Sequence, residues 1–203
     1  MRFCSDAKQD EFVANILEFK RDGYCVDIGS CHSILSNNTF AFQELDWTSL
    51  SVEIESGYND SYSSTRKFGT HLNENALEVN YSEALKENEF PKNIDYISID
   101  IDTLSIDVLK LIPFDEYTFK VITIEHDGYL YGDKYREPQR KFLEEKGYLL
   151  LCSNVYVEQN GYYGKECPFE DWWVRPEEFD AELIEKIKCD SLLPSQIIEK
   201  FKS

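Results

Sequence analysis

The sequence predicts an α/β fold: a Rossmann-like, doubly wound, mostly parallel sheet with a terminal antiparallel hairpin, in a single domain. Helical and extended patterns alternate along the 203 residues, a length that one domain accommodates. Several short apolar runs end in acidic residues, as expected when parallel strands deliver side chains to one crevice at the carboxyl edge of a sheet. Two extended runs near the C-terminal end, separated by glycines, predict the hairpin.

The first elements are a helix over residues 7–21, with apolar residues at helical spacing, and a strand over 24–28. The next elements alternate in type: a helix over 38–46, strands over 51–55 and 77–79, a serine-capped helix over 82–89, a strand over 96–100, a helix over 106–112, a strand over 119–125 and a helix over 137–146. The hairpin comprises an extended run over 148–157, a turn at Gly161 and Gly164, and a strand over 171–174. Acidic helices over 177–188 and 195–202 follow. The predicted organisation is thus an N-terminal helical segment (1–23), a sheet core (24–175) and C-terminal helices (176–203).

The charge balance disfavours two classes of partner. With 21 basic and 39 acidic residues, the formal net charge is −18, which disfavours nucleic acid and anionic membrane surfaces alike. No apolar run approaches the roughly 20 residues that span a bilayer, and the polar start of the chain is unlike a signal peptide. We therefore expect a cytoplasmic protein. The six scattered cysteines disfavour a zinc site or a disulfide framework.

The first strand and its loop, Y-C-V-D-I-G-S-C-H-S, predict a ligand site. Gly29 lets a ligand approach the backbone, because glycine has no Cβ. The loop lacks lysine and both glycine-rich phosphate-binding patterns, which disfavours ATP and NAD. S-adenosylmethionine has no phosphates and fits better, with Glu55 accepting hydrogen bonds from its ribose and Glu53 as second choice. The predicted cofactor-binding residues are Asp27, Gly29, Ser30, Asn38, Glu55 and Asp100.

Several runs resemble the FkbM family of class I S-adenosylmethionine-dependent methyltransferases. They are V-D-I-G-S, S-N-N-T, V-E-I-E, I-D-Y-I-S-I-D-I-D, F-D-E-Y-T-F-K-V-I-T-I-E-H-D, E-K-G-Y-L-L-L and F-E-D-W-W-V, which together extend over residues 24–175. The resemblance implies methyl transfer, usually to oxygen, in small molecules or sugars. Two positions depart from the family pattern: Cys31 replaces a second small loop residue, and Asp102-Thr103 replaces a frequent Glu-Gly.

Acids at the ends of the fourth and fifth strands predict the reactive end of the crevice. A hydroxyl acceptor needs a general base or a metal that lowers its pKa. The predicted catalytic residues are Asp100, His126 and Asp127, and the predicted ligands of a possible Mg²⁺ are Asp100, Asp102 and Glu125. His126 is alternatively the base of a metal-free reaction, or a structural residue.

Aromatic residues offer a further alternative. Trp172 and Trp173 either line an acceptor pocket or belong to the core, and the same holds for Tyr129, Tyr131, Tyr162 and Tyr163. The predicted function is a methyltransferase acting on a small molecule or sugar. The alternatives are a catalytically inactive binding module of the same fold and a nucleotide-sugar modifying enzyme.

Overall fold

Eight strands form one sheet in the computed structural model, which describes residues 1–157 and 167–202. The strands are β1 (Tyr24–Ile28), β2 (Thr48–Val52), β3 (Gly69–Leu72), β4 (Asn93–Ile99), β5 (Thr118–Glu125), β6 (Leu149–Tyr156), β7 (Pro168–Val174) and β8 (Cys189–Asp190). Their order is β3-β2-β1-β4-β5-β7-β6-β8, and β7 runs antiparallel to both neighbours while the other pairs are parallel. The predicted fold class is confirmed. The predicted turn at Gly161 and Gly164 lies outside the described residues.

Helices cover both faces of the sheet. They are α1 (Gln9–Ile16), α2 (Asn59–Thr65), α3 (Tyr81–Glu87), α4 (Ser105–Leu109), α5 (Gly128–Tyr131), α6 (Asp133–Glu145), α7 (Ala181–Ile187) and α8 (Pro194–Lys202), with 3₁₀ turns at Phe40–Leu45, Ser56–Tyr58, Asp102–Leu104 and Pro176–Glu178. Alternate side chains of β5 enter opposite cores: Ile122 packs with Leu85 and Val108 on one face, and Val121 with Phe12 and Ile197 on the other. This two-sided burial makes the sheet doubly wound. No described helix combines the length and apolarity needed to cross a bilayer.

The second and third strands lie earlier than the sequence predicts. V-E-I-E alternates like a half-buried strand, yet Ile54 is 62% exposed and the buried apolar residues are Leu50 and Val52 of T-S-L-S-V. The serines make β2 look polar in the sequence, although its last four residues are all buried. Residues 77–79 likewise form no strand, and β3 is the polar edge segment G-T-H-L. As a result, Glu53 directly follows β2 and Glu55 lies further along the loop.

Several helix bounds also differ from the predictions. The first helix ends at Ile16 rather than residue 21, because Glu18 and Phe19 take left-handed backbone angles. Residues 40–45 form a 3₁₀ turn rather than an α-helix. Asn80, not Ser82, caps α3 by accepting from the Glu83 N–H at 3.3 Å.

Candidate functional site

A cleft crosses the carboxyl ends of β1, β2 and β4, where ligands bind in open α/β sheets. It consists of two cavities that share Gly29, Cys31 and Asp100 in their linings. The β7-side cavity has a volume of about 230 Å³ and reaches Phe169. The β3-side cavity has a volume of about 290 Å³ and reaches Leu77. Because three residues line both, a ligand in one cavity lies next to a ligand in the other.

Gly29 forms the floor of this cleft. Its backbone has φ +79°, and a Cβ built on it would lie 1.9 Å from the Asp100 carbonyl oxygen. Its N–H donates to the Val52 carbonyl oxygen at 3.0 Å, which ties the loop after β1 to β2. Only glycine therefore lets the β1 loop and the end of β4 touch.

Two of the predicted cofactor residues shape the loop instead of lining the cleft. The buried Asp27 accepts a hydrogen bond from the Thr39 hydroxyl at 2.8 Å, and burial raises its pKa to about 6 against the opposing effect of Arg66. Ser30 is buried with its hydroxyl 3.4 Å from the Val52 carbonyl oxygen. Asn38, in contrast, lines the β7-side cavity, and its amide donates to the Ser98 hydroxyl at 2.9 Å and to the Asp100 carboxylate at 3.5 Å.

Glu53, rather than Glu55, is the acid at the edge of the cleft. Its two carboxylate oxygens each accept a backbone N–H at 2.8 Å, from Cys31 and from Glu55. Glu53 is 6% exposed and lines the β3-side cavity, whereas Glu55 is exposed and lines neither cavity. The predicted position of Glu55 at a strand end is thus wrong, and the second choice, Glu53, occupies that position.

The carboxyl groups of Asp100, Glu125 and Asp127 lie close together where β4 and β5 end. Burial, followed by the charges of Asp100 and Asp127, raises the pKa of Glu125 to about 11. Burial also raises the pKa of Asp100 to about 6, and the two side chains share a hydrogen bond. Glu125 accepts the Asp102 N–H at 2.5 Å. At neutral pH Glu125 is therefore a neutral acid that donates to Asp100 and holds the backbone of Asp102.

This arrangement does not suit the predicted Mg²⁺ ligands. The acids whose ligand atoms come within 4.8 Å of one another are Asp102, Glu125 and Asp127, so Asp100 is not in that set. The structure thus brings Asp127, rather than Asp100, next to Asp102 and Glu125, and the magnesium site remains a prediction.

His126 points away from the cleft. Its Nδ1 accepts from the Gly128 N–H at 2.9 Å, and its Nε2 lies 3.4 Å from Asp171, which Arg140 also binds at 2.8 Å. The ring is buried and lines neither cavity. The geometry contradicts its predicted role as a base, and the structural alternative describes it better.

Among Asp127 and the aromatic residues of the predicted site, some lie at the cleft and others lie in the core or on the surface. Asp127 has a left-handed backbone (φ 47°), and its N–H donates to the Phe169 carbonyl oxygen at 3.0 Å. Its carboxyl accepts from Tyr129, which lines the β7-side cavity, and burial raises its pKa. Trp172 and Trp173 are fully buried core residues. Tyr131 is exposed, and Tyr162 and Tyr163 lie outside the described residues.

Sequence reasoning missed part of the β7-side cavity. Asp6, in the turn before α1, Gln9, the first residue of α1, and Phe169 of β7 all line it. No local signal marks the first two, because α1 reads as an ordinary amphipathic helix. Phe169 stands beside the W-W pair, but only the position of β7 next to β5 brings it to the cleft.

Comparison with known proteins gives a likeness of fold. No family model matches the chain, and no curated protein matches it either, so the FkbM assignment remains a prediction. Three solved structures that resemble it are a candidate hemolysin from Streptococcus thermophilus, TrmK from M. capricolum in complex with S-adenosyl-homocysteine, and a candidate O-methyltransferase from Klebsiella pneumoniae.

The first has a TM-score of 0.58 at 12% identity, covering 100% of this chain and 74% of that one. TrmK has a TM-score of 0.52 at 15% identity, covering 86% and 73%. The Klebsiella protein has a TM-score of 0.54 at 16% identity, covering 83% and 80%. At such identities the likeness establishes the Rossmann-like architecture.

Proposed function

We propose that the protein is an S-adenosylmethionine-dependent methyltransferase that methylates a hydroxyl group of a small molecule or carbohydrate. One observation carries the proposal: none of the described residues lining the two joined cavities is a lysine or arginine, while acids stand at both. Such a cleft disfavours cofactors with phosphates and suits a cofactor with a sulfonium, an amino group and a ribose diol. The FkbM-like runs and the folds of TrmK and the Klebsiella protein support the same proposal.

The β3-side cavity is the proposed cofactor site. Each oxygen of Glu53 already accepts one backbone N–H and keeps a lone pair for a ribose hydroxyl. Gly29 forms the floor of this site, and Asp100 at the junction of the cavities is the proposed partner of the cofactor's amino group. S-adenosylmethionine, when bound there, supplies an electrophilic methyl group.

The β7-side cavity is the proposed acceptor site. Tyr129 and Phe169 provide aromatic walls, and Gln9 and Asn38 provide amides, a combination that suits a hydroxylated molecule. Asp100 is the proposed proton acceptor, since its pKa of about 6 leaves it ionised at neutral pH. S-adenosylmethionine in the β3-side cavity would supply the methyl group for the acceptor oxygen, and Asp100 would take the proton of the acceptor hydroxyl. The protonated Glu125 positions Asp100 and takes no proton.

Calorimetry with S-adenosylmethionine, S-adenosylhomocysteine, NAD and ATP tests the cofactor. We expect both adenosyl ligands to bind and to raise the melting temperature by linkage. A response to NAD or ATP alone would overturn the proposal.

A panel of sugars and hydroxylated small molecules, assayed with labelled methyl donor, tests the acceptor. On an accepted substrate, Asp100→Asn should reduce turnover far more than cofactor affinity. Asp107→Asn, on the exposed side of α4, is the matched control and should leave turnover unchanged. Cofactor binding without methyl transfer to any acceptor would favour the inactive binding module.

A further inference from the structure

A third cavity lies on the other side of β2, between α2 and the β2–β3 edge. Its volume is about 360 Å³, and apart from Gly69 its lining residues are all polar or charged. None of them is acidic, although the chain carries 39 acidic residues. The protein has a net charge of −18, yet the walls of this cavity consist of hydroxyls, amides, a histidine and an arginine and carry no negative charge.

Arg66 is the fixed cation of this cavity. Its guanidinium lies 5.7 Å from the centre of the Phe40 ring and 5.5 Å from that of Tyr62. One terminal nitrogen, Nη2, donates to Asn37 at 2.5 Å and to Thr39 at 3.1 Å. Among the described residues no acceptor faces its buried Nε. The guanidinium is therefore held in place, and at least its Nε–H group has no acceptor among the described residues.

Unpartnered polar atoms concentrate on this wall. Two buried side-chain nitrogens of this lining lack a hydrogen-bond partner among the described residues: Arg66 Nε and His71 Nδ1. The His71 ring stacks on Tyr62 with 3.9 Å between centroids, and its Nε2 lies 3.0 Å from the Asn59 amide oxygen. With Nε2–H donated to that oxygen, Nδ1 is left as an acceptor. Buried polar groups without partners mark a place where something else supplies the bonds.

We propose that this cavity binds a small oxyanion that also carries a hydroxyl, with hydrogen phosphate as its smallest representative. Oxyanion oxygens accept from Arg66, whose planar guanidinium matches them. The hydroxyl of the anion donates to His71 Nδ1. The proposal is independent of the methyltransferase proposal, because the cavity shares no residue with the cleft.

The test is calorimetry of the full chain with inorganic phosphate at neutral pH, without cofactor. Substituting Arg66 would also remove its effect on buried Asp27, so the charge is changed at the exposed lip instead. Ser63→Asp puts a carboxylate on the cavity wall, whereas Ser64→Asp adds the same charge at the next, exposed residue of α2, which does not line the cavity. Ser63→Asn is the uncharged control.

We expect one phosphate per chain, with affinity about tenfold weaker in Ser63→Asp, within about twofold of wild type in Ser64→Asp, and less weakened in Ser63→Asn than in Ser63→Asp. Sulfate, which has no hydroxyl at neutral pH, should bind more weakly than phosphate. Equal affinities in Ser63→Asp and Ser64→Asp would mean an adventitious ion only and would overturn the site. Equal binding of sulfate and phosphate would overturn the hydroxyl-bearing ligand class.

Discussion

At the scale of single residues, the carboxylate of Glu53 joins two loops that border the same cavity. It accepts the N–H of Cys31 in the β1 loop and of Glu55 in the β2 loop. A side chain in that position fixes the loops relative to each other and still has lone pairs for a ligand. Its neighbour Glu55 has the same charge but is exposed. Substitutions at Glu53 and Glu55 therefore distinguish a local role of Glu53 in the cavity from the general effect of removing one negative charge.

We predict that Glu53→Gln lowers the affinity for S-adenosylhomocysteine roughly tenfold or more, since charge-assisted hydrogen bonds contribute about 1.5–3 kcal/mol. Glutamine also cannot accept both backbone N–H groups. Calorimetry measures the effect, and melting temperature reports whether the variant folds. Glu55→Gln is the matched control and should bind like the wild type. If Glu55→Gln weakens binding more than Glu53→Gln does, the ribose assignment is wrong.

Glu125 gives a second prediction at this scale. Its folded-state pKa of about 11 lies above its ordinary value of 4.5, so its contribution to stability is complete below about pH 4.5 and declines as the pH rises towards 11. Glutamine reproduces both hydrogen bonds of the neutral acid and has no proton to lose. The melting temperature of Glu125→Gln relative to wild type should therefore increase from about pH 6 to about pH 9.

Glu87→Gln, at an exposed position of α3, should show no such trend. Glu125→Gln should also retain cofactor affinity within about twofold. If Glu125 is instead a metal ligand, Mg²⁺ should stimulate methyl transfer by the wild type and Glu125→Gln should abolish that stimulation. That result would favour the metal-site interpretation.

At the scale of elements, the contact between the β1 loop and the end of β4 depends on one glycine. We predict that Gly29→Ala destabilises the protein by at least about 1–3 kcal/mol, the cost of a strained left-handed residue, and removes cofactor binding. The added methyl group would meet the Asp100 carbonyl oxygen. Gly57→Ala is the control, because nothing lies within 4 Å of its Cβ position. Chemical denaturation and calorimetry compare the two, and equal stability of both variants would contradict the close contact.

The elements that sequence predicts best are those with the plainest burial. β4 and β5 follow the predictions over 96–100 and 119–125 closely, because their long apolar runs are buried on both faces. The bounds of β2 were predicted too far along the chain, because Ser49 and Ser51 are polar residues that are buried in the strand. Gly29 and Asp100 were predictable as strand-end residues. The direction of His126 was not, since it depends on β7 inserting beside β5 and bringing Asp171 to the imidazole.

At the scale of the whole molecule, the excess of acids should make the folded state sensitive to salt. Charges of one sign repel each other in the compact state, and salt screens them over a Debye length that falls from about 30 Å at 0.01 M to about 10 Å at 0.1 M. With a net charge of −18, we predict that the melting temperature rises between these concentrations of NaCl. Choline chloride should act alike, which would exclude a specific sodium site. A melting temperature that falls with salt would mean that the ion pairs outweigh the repulsion.

Cys31 sits where the two halves of the cleft meet, and among the described cysteines it is the exposed one. Burial of its sulfur and the charge of Glu53 raise the pKa of the thiol to about 12, so little thiolate exists at neutral pH and alkylation by iodoacetamide should be slow. An occupant of either cavity would cover the sulfur and slow the reaction further. The chain thus carries a built-in footprinting probe, whose labelling kinetics can report ligand occupancy before any substrate is known.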